Sequence, residues 1–250
     1  MARRRLLAGA TAVTGGMLLG VAGWAPGTAV AAARPLVHDR STWRARRPKR
    51  RAVVLDRAPD RIVIHHSATP NSSDYSLKHA YRLSRAIQDY HMDRNGWDDI
   101  GQQLTVSRGG HILEGRNGSL KAISRGRHIV GAQTASHNTH TIGIENEGLY
   151  TSARVPVRLF DALVELCAWL CTVYDLDPRR AIVGHRDLNA TACPGDAFYR
   201  RLPELRRHVA RAMGLRTRMD SPPLPPHVTP HPGATAPFDH GPALGPGESG

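Results

Sequence analysis

Three short β-branched runs, interleaved with long helical patterns, restrict the fold of this chain more than any other feature. Arg61-Ile62-Val63-Ile64-His65-His66, Thr141-Ile142-Gly143-Ile144-Glu145-Asn146-Glu147 and Ala181-Ile182-Val183-Gly184 each read as a strand. Between and after them, apolar residues recur at helical spacing in Ser76–Asp93, in Val157–Tyr174 and in Leu202–Met213. In the second of these, Leu159, Ala162, Leu163, Leu166, Cys167, Leu170 and Val173 share one side, and Asp177-Pro178 is expected to stop the helix. Gln103–Ser107 and His111–Gly115 flank Arg108-Gly109-Gly110, which signals a hairpin. Strands alternating with helices, plus one hairpin, predict an α/β fold: a single domain with a mixed central β-sheet flanked by helices. The chain has 250 residues, 40% of them hydrophobic, enough to build one such core.

The two ends do not fit that pattern. Met1-Ala2-Arg3-Arg4-Arg5-Leu6-Leu7 precedes an Ala/Gly/Leu/Val stretch that closes on Ala29-Val30-Ala31-Ala32-Ala33. A basic start, an apolar middle and small residues in an A-x-A pattern predict a signal peptide over residues 1–33, of twin-arginine or general secretory type. Glycines and Pro26 interrupt the apolar run, so no stable membrane span is expected after cleavage. Residues 216–250, rich in Pro and Gly, read as a disordered tail that carries His227, His231 and His240. The folded domain is then 34–215. Formal net charge is +13, and removing the three signal arginines leaves +10. Such a surface suits polyanions, including anionic cell-wall polymers. Export, and the absence of zinc-finger spacing, argue against nucleic acid.

Chemistry gathers at three places: His65-His66-Ser67-Ala68-Thr69, Gly184-His185-Arg186-Asp187 and Thr191-Ala192-Cys193-Pro194-Gly195. His65, His66 and His185 stand at the ends of short apolar strands, where sites form on α/β sheets. Cys193 follows His185 by eight residues, close enough to fold back beside it. Two histidines and one cysteine suit zinc, and three protein ligands leave a fourth position for water, which is the catalytic arrangement. Whether His65 or His66 is the ligand stays open at this level. Cys167 and Cys171, four apart on one helix, read as buried thiols.

These segments together resemble the peptidoglycan recognition protein family and the related zinc-dependent N-acetylmuramoyl-L-alanine amidases. The resemblance is carried by Ile62–Thr69, Ile87–Met92, Asn95–Gly101, Glu114-Gly115-Arg116, Ser136–Thr139, Thr141–Ile144, Gly184–Asp187 and Thr191–Asp196, with Arg40 and Trp43 resembling the family's N-terminal Arg/Trp segment. It implies a zinc ion (Zn2+) on His65, His185 and Cys193, with His66 left to packing or support. Alternation along a strand agrees with separate jobs for neighbouring histidines. It implies peptidoglycan and muropeptides as partners. His137 and Asn138 would lie along the groove, and Gly96, Trp97 and Arg116 near the stem peptide. It also implies hydrolysis of the amide between N-acetylmuramic acid and L-alanine, in a secreted or cell-wall location. The alternative is a recognition module that binds peptidoglycan without cutting it.

The sequence departs from the family at two positions. Gln102 stands where many of these amidases carry a tyrosine, and an amide cannot serve as a general base. Glu145 is the replacement expected, by resemblance to muropeptide amidases that use a glutamate at this point. On a strand it shares a face with Gly143 and Glu147, opposite Ile142 and Ile144. Thr191, two residues before Cys193, is expected to donate to an oxyanion. The second departure is Gln133, after Gly131-Ala132, where the family often has another histidine.

Overall fold

The computed structural model describes residues 32–215, 233 and 236–250. The expected signal peptide therefore lies outside the described residues except for Ala32 and Ala33, as do residues 216–232, 234 and 235 of the tail. In chain order the elements are β1 (Val37–His38), β2 (Val54–Leu55), β3 (Arg61–His66), α1 (Leu77–Asp89), β4 (Leu104–Val106), β5 (Ile112–Glu114), α2 (Ser119–Ile123), β6 (His128–Ile129), β7 (Thr141–Asn146), α3 (Val157–Tyr174), α4 (Pro178–Ala181), β8 (Ile182–Gly184), α5 (Asp196–Tyr199) and α6 (Leu202–Ala212). Six strands form one sheet in the order β1-β5-β4-β7-β3-β8, and β2 pairs with β6 in a separate two-stranded ribbon. The β4–β5 hairpin is antiparallel, whereas β4, β7, β3 and β8 run parallel, giving the mixed sheet expected.

The strand alternation decides which residues reach the site. Ile62, Ile64, Ile142, Ile144, Leu104 and Val106 join one buried cluster with Leu159, Leu163, Leu166 and Leu170 of α3 and with Leu205 and Val209 of α6. Their neighbours in sequence must point the other way. Thr105, Glu145 and His65 are direct partners across β4, β7 and β3, so they stand in one row on that opposite face. There α1 packs Ala80 against Trp43 and Leu113, and Leu83 and Ile87 against Ile100. The centre of the face remains as a groove. Leu166, with no exposure, anchors α3 to the covered face. Leu166→Ala should cost about 2–5 kcal/mol in urea denaturation, and a loss below about 1 kcal/mol would contradict this packing.

Helix ends differ in detail from the sequence reading. Ser76 caps α1 by accepting the His79 amide at 3.1 Å, but the α-helix stops at Asp89 and continues as a π-helical turn over Tyr90–Arg94. α3 covers the predicted span and ends by itself at Asp175, whose φ of 53° is left-handed. Asp177-Pro178 does not stop it. Instead Asp177 caps α4, with Oδ1 accepting the Arg179 amide at 3.0 Å and Pro178 in the first turn. Cys167 and Cys171 are buried free thiols in the α3 core, as expected. In the basic stretch near Trp43, Arg46 is engaged by Asp89 and Asp93, and Arg50 by Asp98.

Candidate metal centre and groove

The parallel strands deliver their C-terminal ends to one edge, and the candidate ligands stand there. His65 is the fifth residue of β3, and His185 directly follows β8. A Cβ at Gly184 would come within 3.0 Å of Tyr199 and 3.1 Å of Pro194, so glycine lets the Cys193-Pro194 loop lie against the strand end. The loop is pinned there. Gly184 donates its amide to Asp187 Oδ2 at 2.8 Å, Arg186 donates its amide to the Cys193 carbonyl at 3.0 Å, and the Arg186 guanidinium meets Asp196 at 2.6 Å. His65, His185 and Cys193 are thereby brought together, and His240 joins them. One ligand atom from each of the four lies within 4.8 Å of the others, and all four residues are buried. A tetrahedral zinc with bonds of about 2.0–2.3 Å holds its ligands about 3.3–3.8 Å apart, so the group is a slightly expanded version of such a shell.

Each imidazole has one nitrogen held and the other turned inward. His65 Nε2 lies 2.6 Å from Gln133 Oε1, and its Nδ1 lies 3.7 Å from Cys193 Sγ. His185 Nε2 lies 3.0 Å from Asn189 Oδ1 and 3.0 Å from the Pro242 carbonyl, while its Nδ1 is buried without a partner. His240 Nε2 lies 2.9 Å from Glu145 Oε2, and its Nδ1 is likewise buried without a partner. Orphaned ring nitrogens in a buried cluster that also holds a thiol fit a soft or borderline divalent metal. Burial, with the other histidines nearby, holds His65 well below the usual imidazole range, and the same causes bring His185 down to about 3. Both rings are therefore neutral at pH 7, the form that ligates. Burial pushes the Cys193 thiol up, while the His66 amide donates to its sulfur at 3.4 Å. His66 itself points elsewhere, its Nδ1 accepting the Tyr150 amide at 3.3 Å, in line with a supporting role.

The remaining expected site residues divide. Glu145 is buried beside His65, with Oε2 toward His240 and Oε1 unpartnered. Thr191 Oγ1 donates to the His240 carbonyl and accepts the Cys193 amide at 3.1 Å. Glu147 lies one residue past β7, and its carboxylate is bound by His79 Nε2 at 2.5 Å and by the Arg108 amide at 2.8 Å, so it does not extend the Glu145 row. A cavity of about 270 Å³ beside the centre is lined by Trp97, Gln102, Gln133 and Glu145 among others. Asn138 accepts the Gln133 and Thr134 amides and turns its Nδ2 into the groove. Asn138, like His137, Gly96 and Arg116, is not among the residues that line the cavity. His137 packs on His140 with ring centroids 5.2 Å apart, and Arg116 is buried with Nη1 on the Ile100 carbonyl at 3.2 Å.

Two participants were not legible. Gln133 looks like a missing histidine in the sequence, yet its amide oxygen orients His65 and its Nε2 donates to Thr141 Oγ1 at 2.8 Å. His240 belongs by composition to a disordered tail, but residues 236–250 are hydrogen-bonded along the groove. The expected set of three candidate ligands leaves His240 out, whereas the structure brings a donor atom of His240 within 4.8 Å of those of the other three.

Comparison with known proteins places this architecture. Residues 55–196 match the family described as N-acetylmuramoyl-L-alanine amidase. A human N-acetylmuramoyl-L-alanine amidase is 32% identical over 199 residues, covering 76% of this chain and 33% of that protein, so the chain spans about one third of its length. Peptidoglycan-recognition protein LB of Drosophila melanogaster is 32% identical over 213 residues, covering 84% of each chain. A solved structure of a mutant of the Drosophila protein LB in complex with tracheal cytotoxin has a TM-score of 0.58 at 29% identity, covering 66% of this chain and 92% of that one.

Proposed function

The chain belongs to the N-acetylmuramoyl-L-alanine amidase family that also includes peptidoglycan-recognition proteins, and from that premise we propose that it is a zinc-dependent amidase acting on peptidoglycan or its fragments. The bond cleaved is the amide between N-acetylmuramic acid and L-alanine. The observation that carries this reading is the buried convergence of His65, His185 and Cys193 next to the unpartnered Oε1 of Glu145. A pure binding surface has no use for such a set.

His65, His185 and Cys193 would hold the zinc. When bound, zinc supplies Lewis acidity that polarises a carbonyl and eases loss of a proton from water. Glu145 Oε1 takes the proton of the water that attacks the amide carbon. Thr191 Oγ1 donates to the carbonyl oxygen as it gains charge, as it now donates to the His240 carbonyl. As the C–N bond breaks, Glu145 returns the proton to the departing nitrogen of L-alanine. Gln102 cannot share this work, since its Nε2 is committed to Thr105 Oγ1 at 3.0 Å and amides do not titrate. Asn138 and Trp97 are assigned to substrate along the groove, and His137, Gly96 and Arg116 to its surroundings.

The substrate class is supported by relatives solved in complex with tracheal cytotoxin, a monomeric diaminopimelic acid-type peptidoglycan. Export through residues 1–33, and attraction of the basic surface to anionic wall polymers, complete the reading. No helix among the described residues is long and apolar enough to cross a membrane. Gln102 favours the second reading, a non-catalytic recognition module. Incubating the protein with muropeptides, with and without a chelator, separates the two. The expected result is a released L-alanyl peptide, identified by mass, that disappears on chelation. Tight binding without release would establish the recognition module.

Gln133 provides an independent check on the centre. Gln133→Ala frees the His65 ring, and metal affinity should fall about 10–100-fold, measured by competition with a chromophoric chelator. Unchanged affinity would remove Gln133 from the support of the site.

A further inference from the structure

Residues 236–250 occupy the groove in the manner of a bound peptide. The His240 ring centroid lies 4.9 Å from that of His65 and 5.6 Å from that of His185. The His240 carbonyl takes the Thr191 hydroxyl, and the Pro242 carbonyl lies 3.0 Å from His185 Nε2. Asn138 Nδ2 donates to the Ala243 carbonyl at 2.8 Å and to Glu248 Oε2 at 3.0 Å. The Ser136 amide reaches the same carboxylate at 2.9 Å. Further along, the Asp98 amide donates to the Gly250 carbonyl at 3.1 Å, beside Trp97. At the other end, the Phe238 amide donates to the Ser67 carbonyl at 2.9 Å, and its ring packs on Leu83, Ile87 and Ile100.

The fit is specific to this segment. A Cβ on Gly241 would stand 2.5 Å from Thr191 Oγ1, so only glycine passes the threonine that closely. The residue before it, His240, brings its ring into the buried group of His65, His185 and Cys193, with Nδ1 lacking a hydrogen-bond partner. The segment thus engages four groups assigned above to chemistry or substrate: Glu145, Thr191, Asn138 and Trp97. A zinc site with three protein ligands is open for catalysis, whereas one with four is closed.

We propose that His240 is the fourth protein ligand of the zinc centre, and that the segment around it is a built-in occupant of the groove which must leave before substrate enters. The inference rests on the zinc reading above. Its consequence is an amidase slowed, but not silenced, by its own chain, and sped up when the segment is displaced or removed. The Glu145–His240 ion pair alone could seat the segment without metal ligation, so the test must read the metal itself.

Cobalt(II) in place of zinc gives that readout, because its visible bands report ligand number and type. The whole chain, parent and His240→Ala, is loaded with cobalt(II) and titrated with azide. The parent bands should not move. In His240→Ala a solvent ligand replaces the ring, so the bands should shift and respond to azide. Metal affinity of the variant should fall by at least about 10–100-fold, the range that even loss of an orienting partner produces. Phe238→Ala keeps all four ligands and loosens only the anchor. It should respond to azide at concentrations between those for parent and His240→Ala, and both variants should hydrolyse muropeptides faster than the parent. If parent and His240→Ala give the same bands and the same azide response, His240 is not a ligand, and the zinc reading stands without this closure. If neither protein takes up cobalt or zinc, both readings fall.

Discussion

Replacing His185 by alanine should remove metal and hydrolysis together. The ring follows β8 directly, with Nδ1 turned into the cluster and Nε2 held by Asn189 and by the Pro242 carbonyl. Its loss therefore deletes a ligand and, at the same time, a contact that seats His240. The three donors left, His65, Cys193 and His240, include one whose own anchoring has been weakened. Zinc affinity should drop by more than the about 10–100-fold that follows loss of a residue merely supporting a ligand. Hydrolysis should fall to that of chelator-treated parent. Stoichiometric zinc retained at parental affinity would take His185 out of the centre.

Glu145→Gln should have the opposite pattern, an intact centre with little turnover. The exchange keeps size and hydrogen-bonding reach and removes the group that can accept a proton, together with the negative charge facing His240. Glu145 contributes no ligand atom to the four-residue group, so zinc should remain. Muropeptide hydrolysis should decline on the order of 10²–10⁴-fold, the worth of a positioned general base. Glu147→Gln is the control. Its carboxylate is fastened to His79 and to the Arg108 amide, so the change should weaken the join between α1 and the hairpin and leave turnover nearer the parent. Equal hydrolysis by Glu145→Gln and parent would sink the assigned mechanism.

Much of this was legible because it is local. The α3 span follows from one long apolar stripe, and the β4–β5 hairpin from Gly109-Gly110 between two alternating runs. His65, His185 and Cys193 were placed by strand ends and by motif resemblance, and the structure brings them to one spot. The two-residue strands β1, β2 and β6 leave no signal in the sequence, since two residues carry no period. The π-helical turn after Asp89 has apolar spacing too close to that of an α-helix to be told apart. The place of His240 is illegible for a different reason. Its Pro- and Gly-rich surroundings have the composition of a segment without its own core. What orders them is a groove built by residues roughly 50 to 175 positions earlier, which no local window contains.

The row formed by His65 and Glu145 on adjacent parallel strands carries an evolutionary consequence. Substitutions in the loops that deliver His185 and Cys193 leave the strand register unchanged. A one-residue insertion or deletion within β3 or β7 does not, because it exchanges the two faces of the strand. The same event would swing Ile62 and Ile64, or Ile142 and Ile144, out of the core. Descendants of this chain that mis-space the reactive row are thus eliminated as unfolded before selection can test their chemistry.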